Sequence, residues 1–342
     1  MDTSVPVQPA RWSGGARARR LAGSPALRLS GRRLLAAIPV VWGVTLLAFL
    51  TLNALPGDAA SALLGINATP AELKAFRIKL HLNDPLWVRY GHWLGGAVHG
   101  NLGTSLASPQ SVASIIRQGL PVTLELVIYA LIITLVVSVP LALLCARWPR
   151  GIIDRLSMVL SMGSISMAPF VLGLLLLFVF ADDLPVFPAI YSAPSSIAGN
   201  LYQFTLPSIV LALPLIGFYT RFLRADLLEQ MQSEDYVVTA RAKGVSEWRI
   251  LTRHALRNSF IGLLTIIGLN LATLIGATVI IEQIFSMPGI GHELLQSISN
   301  RNVTVVEGIV LVFGIAVVLA NLLTDLAYGV LDPRIRHVRS RS

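Results

Sequence analysis

The sequence predicts an all-α membrane protein with six transmembrane helices. Of its 342 residues, 54% are apolar and only 13% are charged, whereas a soluble protein carries about 25% charged residues. The apolar runs are about 20 residues long, which is the length of a membrane-spanning helix, and they are not the alternating segments typical of membrane β-strands. A single cysteine, Cys145, excludes a disulfide framework and a cysteine-based metal site.

The predicted spans alternate with segments of unequal positive charge. Lys and Arg number 21 in the first, third, fifth and seventh segments outside the spans, and six in the others. The positive-inside rule therefore predicts that both termini and the loop after the fourth span are cytoplasmic. In a soluble chain the net charge of +9 would favour nucleic acid as a partner, but this one-sided distribution favours the lipid bilayer. The predicted spans are Leu34–Leu55, Val122–Leu144, Leu156–Phe180, Thr205–Leu223, Phe260–Ile281 and Val305–Tyr328.

The spans divide the chain into four parts. Residues 1–31 are rich in Arg, Ser, Gly and Pro and are predicted to form a disordered cytoplasmic tail. Residues 32–120 hold the first span and a long external loop, residues 121–330 hold a five-helix core, and residues 331–342 form a basic cytoplasmic tail. We interpret the first span as uncleaved, because its apolar stretch is longer than that of a signal peptide.

The first external loop carries three aromatic side chains at helical spacing, Trp87, Tyr90 and Trp93. An aromatic belt at the membrane interface is the more common explanation of such a cluster. The alternative is a docking surface for an external partner. The loop is too long for a simple connection, so we expect part of it to fold.

A charged island lies between the fourth and fifth spans, over residues 221–258. It holds seven of the 27 Lys and Arg residues and five of the 18 acidic residues, and this density of charge predicts a water-facing loop. Ser233 is expected to cap a helix that Gly244 ends in the left-handed conformation, and Ser246 is expected to cap a second helix. A helix–turn–helix on the membrane surface indicates a contact with a partner.

The fifth span carries small residues at four-residue spacing, Gly268, Ala272 and Gly276. They share one helical face and predict close packing of another helix. Two acidic residues, Glu125 and Asp325, lie near span ends. Structural pairing or a position at the membrane interface is the favoured interpretation, and a proton relay is the alternative.

The sequence excludes several kinds of catalysis. No Gly-Lys dipeptide occurs, so a phosphate-binding loop of the Walker type is absent. All histidines lie outside the predicted spans, which argues against an intramembrane protease. Three of them, His81, His92 and His99, share one loop without flanking acidic or cysteine clusters, so no metal site is expected.

The charged island carries the motifs that point to a family. T-A-R-A-K-G at residues 239–244 and R-H-A-L-R-N at residues 253–258 resemble the cytoplasmic coupling loop of ABC importer permeases, most closely the peptide/nickel family. Of the general permease motif, only Ala240, Gly244 and Leu256 are kept. The same family is matched by P-G-D at 56–58, by D-P-L-W-V-R-Y-G-H-W at 84–93, by E-Q-I-F-S-M-P-G-I-G at 282–291 and by D-L-A-Y-G-V-L-D-P-R at 325–334.

The resemblance covers about residues 32–336 and implies a type I ABC importer permease fold in a bacterial plasma membrane, with a coupling loop at residues 224–258. It implies a B-type subunit that pairs with a homologous C-type permease and contacts two ATPase subunits and an extracytoplasmic substrate-binding protein. ATP and Mg²⁺ would be held by the ATPases, and this chain would hold no cofactor, metal or catalytic residue. The residues implied to contact the ATPase are Asp235, Tyr236, Ala240, Arg241, Ala242, Lys243, Gly244, Arg253, His254 and Leu256. The residues implied to contact the binding protein are Trp87, Tyr90, Trp93, Pro288 and Gly289.

The main alternative is a secondary transporter in which Glu125 or Asp325 couples transport to an ion gradient. Such folds are typically built from internal repeats with a mid-membrane charge, and neither is found in this sequence. The importer that the resemblance implies, one for dipeptides or oligopeptides, is the favoured interpretation. The sequence does not distinguish peptides from glutathione or nickel chelates, since selectivity in the family rests largely with the binding protein.

Overall fold

The fold is helical throughout the part of the chain that the structure describes. An isolated β-bridge between Thr104 and Ser111 is the only extended pairing among these residues. The computed structural model describes residues 25–54, 59–64, 68–79, 82–193 and 196–331. The predicted C-terminal tail from residue 332, the first 24 residues, the P-G-D motif at 56–58 and the side chain of Asp325 lie outside this description.

The helices are numbered in chain order, and two of them are extended by a wider, π-helical turn. These turns are Phe178–Asp183 after α7 and Leu251–Ala255 after α10. The α-helices are α1 (Pro25–Ala54), α2 (Ala59–Leu64), α3 (Pro70–Lys79), α4 (Leu86–Val98), α5 (Val112–Arg147), α6 (Ile152–Ser166), α7 (Pro169–Leu177), α8 (Ile197–Ser233), α9 (Asp235–Ala242), α10 (Glu247–Ile250), α11 (Leu256–Ile284), α12 (Ile290–Ser299) and α13 (Val303–Leu331).

Five of the six predicted spans lie within long apolar helices, and the third is interrupted. The five are α1, α5, α8, the continuous helix over residues 247–284, and α13. The prediction of one helix over Leu156–Phe180 is wrong, because α6 and α7 meet at an angle of 106°. Ala168 precedes Pro169 and is extended, with ψ 136°, since a proline ring disfavours helical geometry in the residue before it. The bent pair completes six spans if it is counted as one.

The charged island is helical at its start, which the sequence analysis did not expect. α8 continues past the predicted end of the fourth span to Ser233. Leu223 and Leu227 are buried and four residues apart, so the apolar face of α8 continues over this stretch. The predicted cap at Ser233 is therefore wrong: its hydroxyl donates to the Glu229 carbonyl (2.7 Å), and Glu234 takes the cap position of α9.

The core lies where α5, α8 and α11 pack together. One buried cluster includes Leu126, Phe204 and Ile281, and a second cluster, nearer the charged island, includes Leu223 and Leu263. α13 packs against α1 and α11 on the side of this core. The three packed helices thus connect the charged island to the opposite end of the molecule.

The small residues of α11 have two different environments. A side chain added at Gly268 would place Cβ 2.2 Å from Thr324 Cγ2, so α11 and α13 approach closely there. No atom lies within 4 Å of such a Cβ at Gly276. Ala272 and Gly276 instead line an apolar cavity of about 640 Å³ between α1, α11 and α13. Close packing is thus found at one end of this stripe, and an open space at the other.

Candidate coupling and docking surfaces

The turn of the coupling loop is closed by backbone hydrogen bonds around Gly244. Gly244 has φ +75°, the left-handed conformation that glycine adopts without strain, as the sequence predicts. Its N–H donates to the Arg241 carbonyl (2.9 Å), and the Val245 N–H donates to the Ala240 carbonyl (3.1 Å). This pair of bonds is a Schellman motif, which satisfies the last carbonyls of α9. The helix therefore ends at a defined point and turns sharply.

A bidentate ion pair joins the two short helices of the loop. Arg241 Nε lies 2.6 Å from Glu247 Oε1, and Arg241 Nη2 donates to Glu247 Oε2 (3.1 Å). This hydrogen bonding raises the pKa of Arg241. Ser246 occupies the cap position of α10, as predicted, although its side chain makes no capping bond. Since both charged groups are partly exposed, the pair contributes less than about 1 kcal/mol, but it fixes how α9 and α10 lie against each other.

The inner face of α9 packs against the rest of the chain. Val237, Ala240 and Ile250 are buried together, and Tyr236 packs against them. The Tyr236 hydroxyl donates to Gln230 Oε1 (2.6 Å), and burial raises the pKa of this phenol. The resemblance to the family implied that Tyr236 and Ala240 contact the ATPase. In the structure Ala240 is buried and Tyr236 is partly buried, and both pack in the cluster around Ile250.

The outer face of the loop carries two large apolar side chains that the sequence analysis missed. Val238 is 60% exposed and Trp248 is 46% exposed. Val238 directly follows the buried Val237. Because neighbouring residues of a helix point in different directions, the sequence alone could have predicted that Val238 is exposed. Of the residues implied to contact the ATPase, Asp235, Arg241, Ala242, Lys243, Gly244, Arg253 and His254 are exposed, whereas Leu256 is partly buried against the core.

A partly buried ion pair holds the base of the coupling loop. Arg224 near the end of α8 donates through Nη2 to Asp154 Oδ2 (2.7 Å) and through Nε to the other carboxylate oxygen. The Arg150 N–H also donates to Asp154 (2.8 Å). The two partners are 70 residues apart, and no sequence motif predicts their pairing. This contact fixes α6 to the part of α8 that leads into the loop.

The opposite end of the molecule contains a fully buried carboxylate, that of Glu282. Its oxygens accept hydrogen bonds from Thr123 Oγ1 (2.7 Å) and from the His292 N–H (2.9 Å). Thr123 Oγ1 also accepts from the Ile290 N–H (3.0 Å). A Cβ at Gly289 would lie 2.3 Å from Glu282 Cδ, so this position has no room for a side chain. The motif at residues 282–291 therefore folds around its own acid. We call residues 86–106 and 282–307 the distal end.

Sequence patterns of two families match the chain. The pattern of the binding-protein-dependent transport system inner membrane component matches residues 138–337, and that of the N-terminal membrane component of such systems matches residues 26–127. The first match covers more than half of the chain and includes the coupling loop. The chain belongs to the family of binding-protein-dependent transport system inner membrane components. It is thus an inner-membrane permease of the ABC importer class, which confirms the resemblance found in the motifs.

The relatives of this permease align with it over almost their whole length. A putative peptide transport system permease protein of Brucella abortus is 38% identical over 308 residues, which cover 90% of this chain and 98% of the relative. An oligopeptide transport system permease protein of Bacillus subtilis is 34% identical over 311 residues, with the same two coverages. A glutathione transport system permease protein of Escherichia coli is 34% identical over 306 residues, again covering 90% and 98%.

The aromatic residues of the first loop pack mostly against the permease itself. Tyr90 is buried, and its hydroxyl shares a hydrogen bond with Thr45 Oγ1 of α1 (2.9 Å). The Trp93 ring stacks on Tyr90 with 5.9 Å between the ring centroids. These contacts fix α4 on α1. Of the residues implied to contact the binding protein, Trp87 and Pro288 are exposed, Trp93 is partly buried, and Tyr90 and Gly289 are buried.

Glu125, one of the two acidic residues of the alternative hypothesis, has a structural partner. Glu125 Oε2 accepts a hydrogen bond from Asn200 Nδ2 (2.8 Å), which joins α5 to the start of α8. This contact agrees with the preferred interpretation of structural pairing. Over the described ranges, no group of three His, Cys, Asp or Glu side chains is arranged to hold a metal ion.

Proposed function

We propose that this permease forms half of the translocation pathway of an ATP-driven importer, and that the outer face of its coupling loop binds a separate ATPase subunit. The observation that carries the proposal is the exposure of Val238 and Trp248 on two short helices of fixed geometry. Large apolar side chains in a water-facing loop favour burial under a partner. Lys243 and Arg241 beside them supply polar contacts at the rim.

The rest of the assembly follows from this assignment. The coupling loop and both termini are cytoplasmic, which the segregation of Lys and Arg supports, and the five-helix core is residues 121–330. A homologous C-type permease completes the pathway, and two ATPase subunits hold ATP and Mg²⁺. An extracytoplasmic binding protein delivers the substrate to the distal end, where Trp87 and Pro288 are exposed.

The substrates are short peptides. Two of the relatives described above are named for peptides or oligopeptides, and the third is named for glutathione, which is itself a tripeptide. This common chemistry supports a peptide as cargo, rather than a sugar or an inorganic ion. Uptake of a labelled tripeptide, dependent on ATP and on the binding protein, is the corresponding measurement.

The ATPase contact is tested by Val238→Asp. This change places a charge on the outer face without disturbing the buried Val237, so the permease is expected to fold. We expect at least a tenfold loss of the ATPase that co-purifies with the tagged permease from its membrane in mild detergent. Val98→Asp at the distal end is the matched control, since Val98 is 77% exposed, and it should leave ATPase recovery unchanged. Full recovery with Val238→Asp would contradict the proposal.

A further inference from the structure

A second cavity, of about 370 Å³, lies at the distal end between α1, α4 and the start of α13. Unlike the apolar cavity beside Gly276, its lining includes several charged and polar side chains among apolar ones. Its volume lies within the range of about 300–1,000 Å³ found for small-molecule sites. The polar side chains that line it include Asp84, Arg89, His92, Asn101, Thr104 and Glu307.

Glu307 is the least ordinary of these residues, since it is only 3% exposed. Among the described residues, no hydrogen bond to its carboxylate is found. Arg89 interacts with it electrostatically, but Arg89 Nη1 donates to Asn53 Oδ1 (2.9 Å) and its guanidinium lies 5.8 Å from the Phe49 ring centre. A buried carboxylate without direct hydrogen bonds is costly, so a cationic donor in the cavity would be stabilised.

The same cavity contains a group that complements an anion. The Arg89 guanidinium lines it, and this cation can pair with an anionic group. Burial lowers the pKa of the guanidinium, and the nearby carboxylates of Glu307 and Asp84 raise it. One space therefore offers a carboxylate to a cation and a guanidinium to an anion.

We propose that this cavity binds a zwitterion in which a primary ammonium group lies a few bonds from an anionic group. The ammonium donates to the Glu307 carboxylate, and the anionic group accepts from Arg89. Two sources share this chemistry: a short peptide, with its amino terminus and carboxylate, and the headgroup of phosphatidylethanolamine. The site is separate from the coupling loop and does not depend on the proposed ATPase contact.

The test measures binding of two probes to the purified importer complex in nanodiscs of phosphatidylcholine. Glycylglycine is titrated by calorimetry, and phosphatidylethanolamine is counted by native mass spectrometry. We expect saturable binding of at least one probe, weakened at least tenfold by Glu307→Gln, which keeps the side-chain shape and removes the charge. Glu293→Gln in α12 is the control, because Glu293 does not line the cavity. Absence of saturable binding of both probes, or equal binding by Glu307→Gln, overturns the proposal.

The two sources are separated by which probe binds. Binding of phosphatidylethanolamine alone supports the site and assigns it to lipid, and binding of glycylglycine alone supports it and assigns it to a peptide. N-acetylglycylglycine lacks the primary ammonium and should not bind, and equal binding by this compound overturns the proposal. Thr104→Trp provides a second variant that leaves Glu307 unchanged: Thr104 is exposed at the cavity wall, and a bulky ring there should abolish binding.

Discussion

The coupling loop and the distal end of this permease are held by contacts of different range. In the loop, the Arg241–Glu247 pair joins residues six positions apart, and the turn at Gly244 is closed by neighbouring backbone groups. At the distal end, Thr123 binds Glu282 and Ile290 across 159 and 167 positions. The turn of the loop around Gly244 is thus built from local contacts, although Asp154 holds its base from 70 positions away, whereas the Glu282 network forms only when distant helices have packed.

The largest loss of stability at the distal end is expected for Glu282→Ala. The buried Thr123 Oγ1 and the partly buried His292 N–H would both lose their acceptor. An unsatisfied buried donor costs about 1–3 kcal/mol, so we expect a loss of stability of about 2–6 kcal/mol. Thermal unfolding of the purified permease in mild detergent measures the effect. Glu229→Ala on the exposed surface of α8 is the control, and a similar fall in Tm for both variants would contradict the long-range role of Glu282.

A smaller change to the same region is Thr123→Val. It removes the hydroxyl between Glu282 and the Ile290 N–H, and we expect a loss of about 1–3 kcal/mol. Thr134→Val is a matched control on the same helix, because that buried hydroxyl donates only within α5, to the Ala130 carbonyl (2.7 Å). The difference between the two Tm values isolates the contact that joins the helices. Equal Tm values would show that this contact adds nothing.

The smallest effect is expected in the loop, for Gly244→Ala. The left-handed conformation at φ +75° disfavours any residue with a side chain, and we expect a loss of about 1 kcal/mol, confined to the loop. Gly276→Ala is the control, and it is expected to increase the stability. Gly276 lies in a helix, where alanine is favoured over glycine, and its surroundings have room for the added methyl group. Hydrogen exchange of the loop amides locates the change. Faster exchange at the distal end in Gly244→Ala would mean that the two regions are coupled in stability.

The same contrast explains what the sequence predicted. The turn at Gly244 and the cap position of Ser246 were predicted correctly, because local chemistry determines them. The long apolar runs located long apolar helices for five of the six predicted spans, because a helix that crosses a bilayer needs about 20 apolar residues. The error at Ser233 has a local cause as well. The buried Leu223 and Leu227 continue the apolar face of α8 beyond the predicted end of the fourth span, and the density of charge in this stretch hid that pattern.

The contacts that the sequence analysis missed are those between distant residues. Nothing in a single sequence pairs Asp154 with Arg224, because each is an ordinary charged residue near a helix end. Glu282 was found as part of a motif, but its bond to Thr123 depends on how α5 packs against α11. The bend before Pro169 differs from these, since the proline was visible and its effect on the preceding residue was predictable.

The helix over residues 247–284 has a mechanical consequence. It is continuous for 38 residues, which at 1.5 Å per residue is a length of about 57 Å. Trp248 lies near one end and Glu282 near the other, with no hinge loop between them. Glu282 is buried at one end, and Ile250 and Leu251 are buried at the other, so packing holds both ends of the helix. At this length, a tilt of a few degrees about the Glu282 end would displace Trp248 by several ångströms.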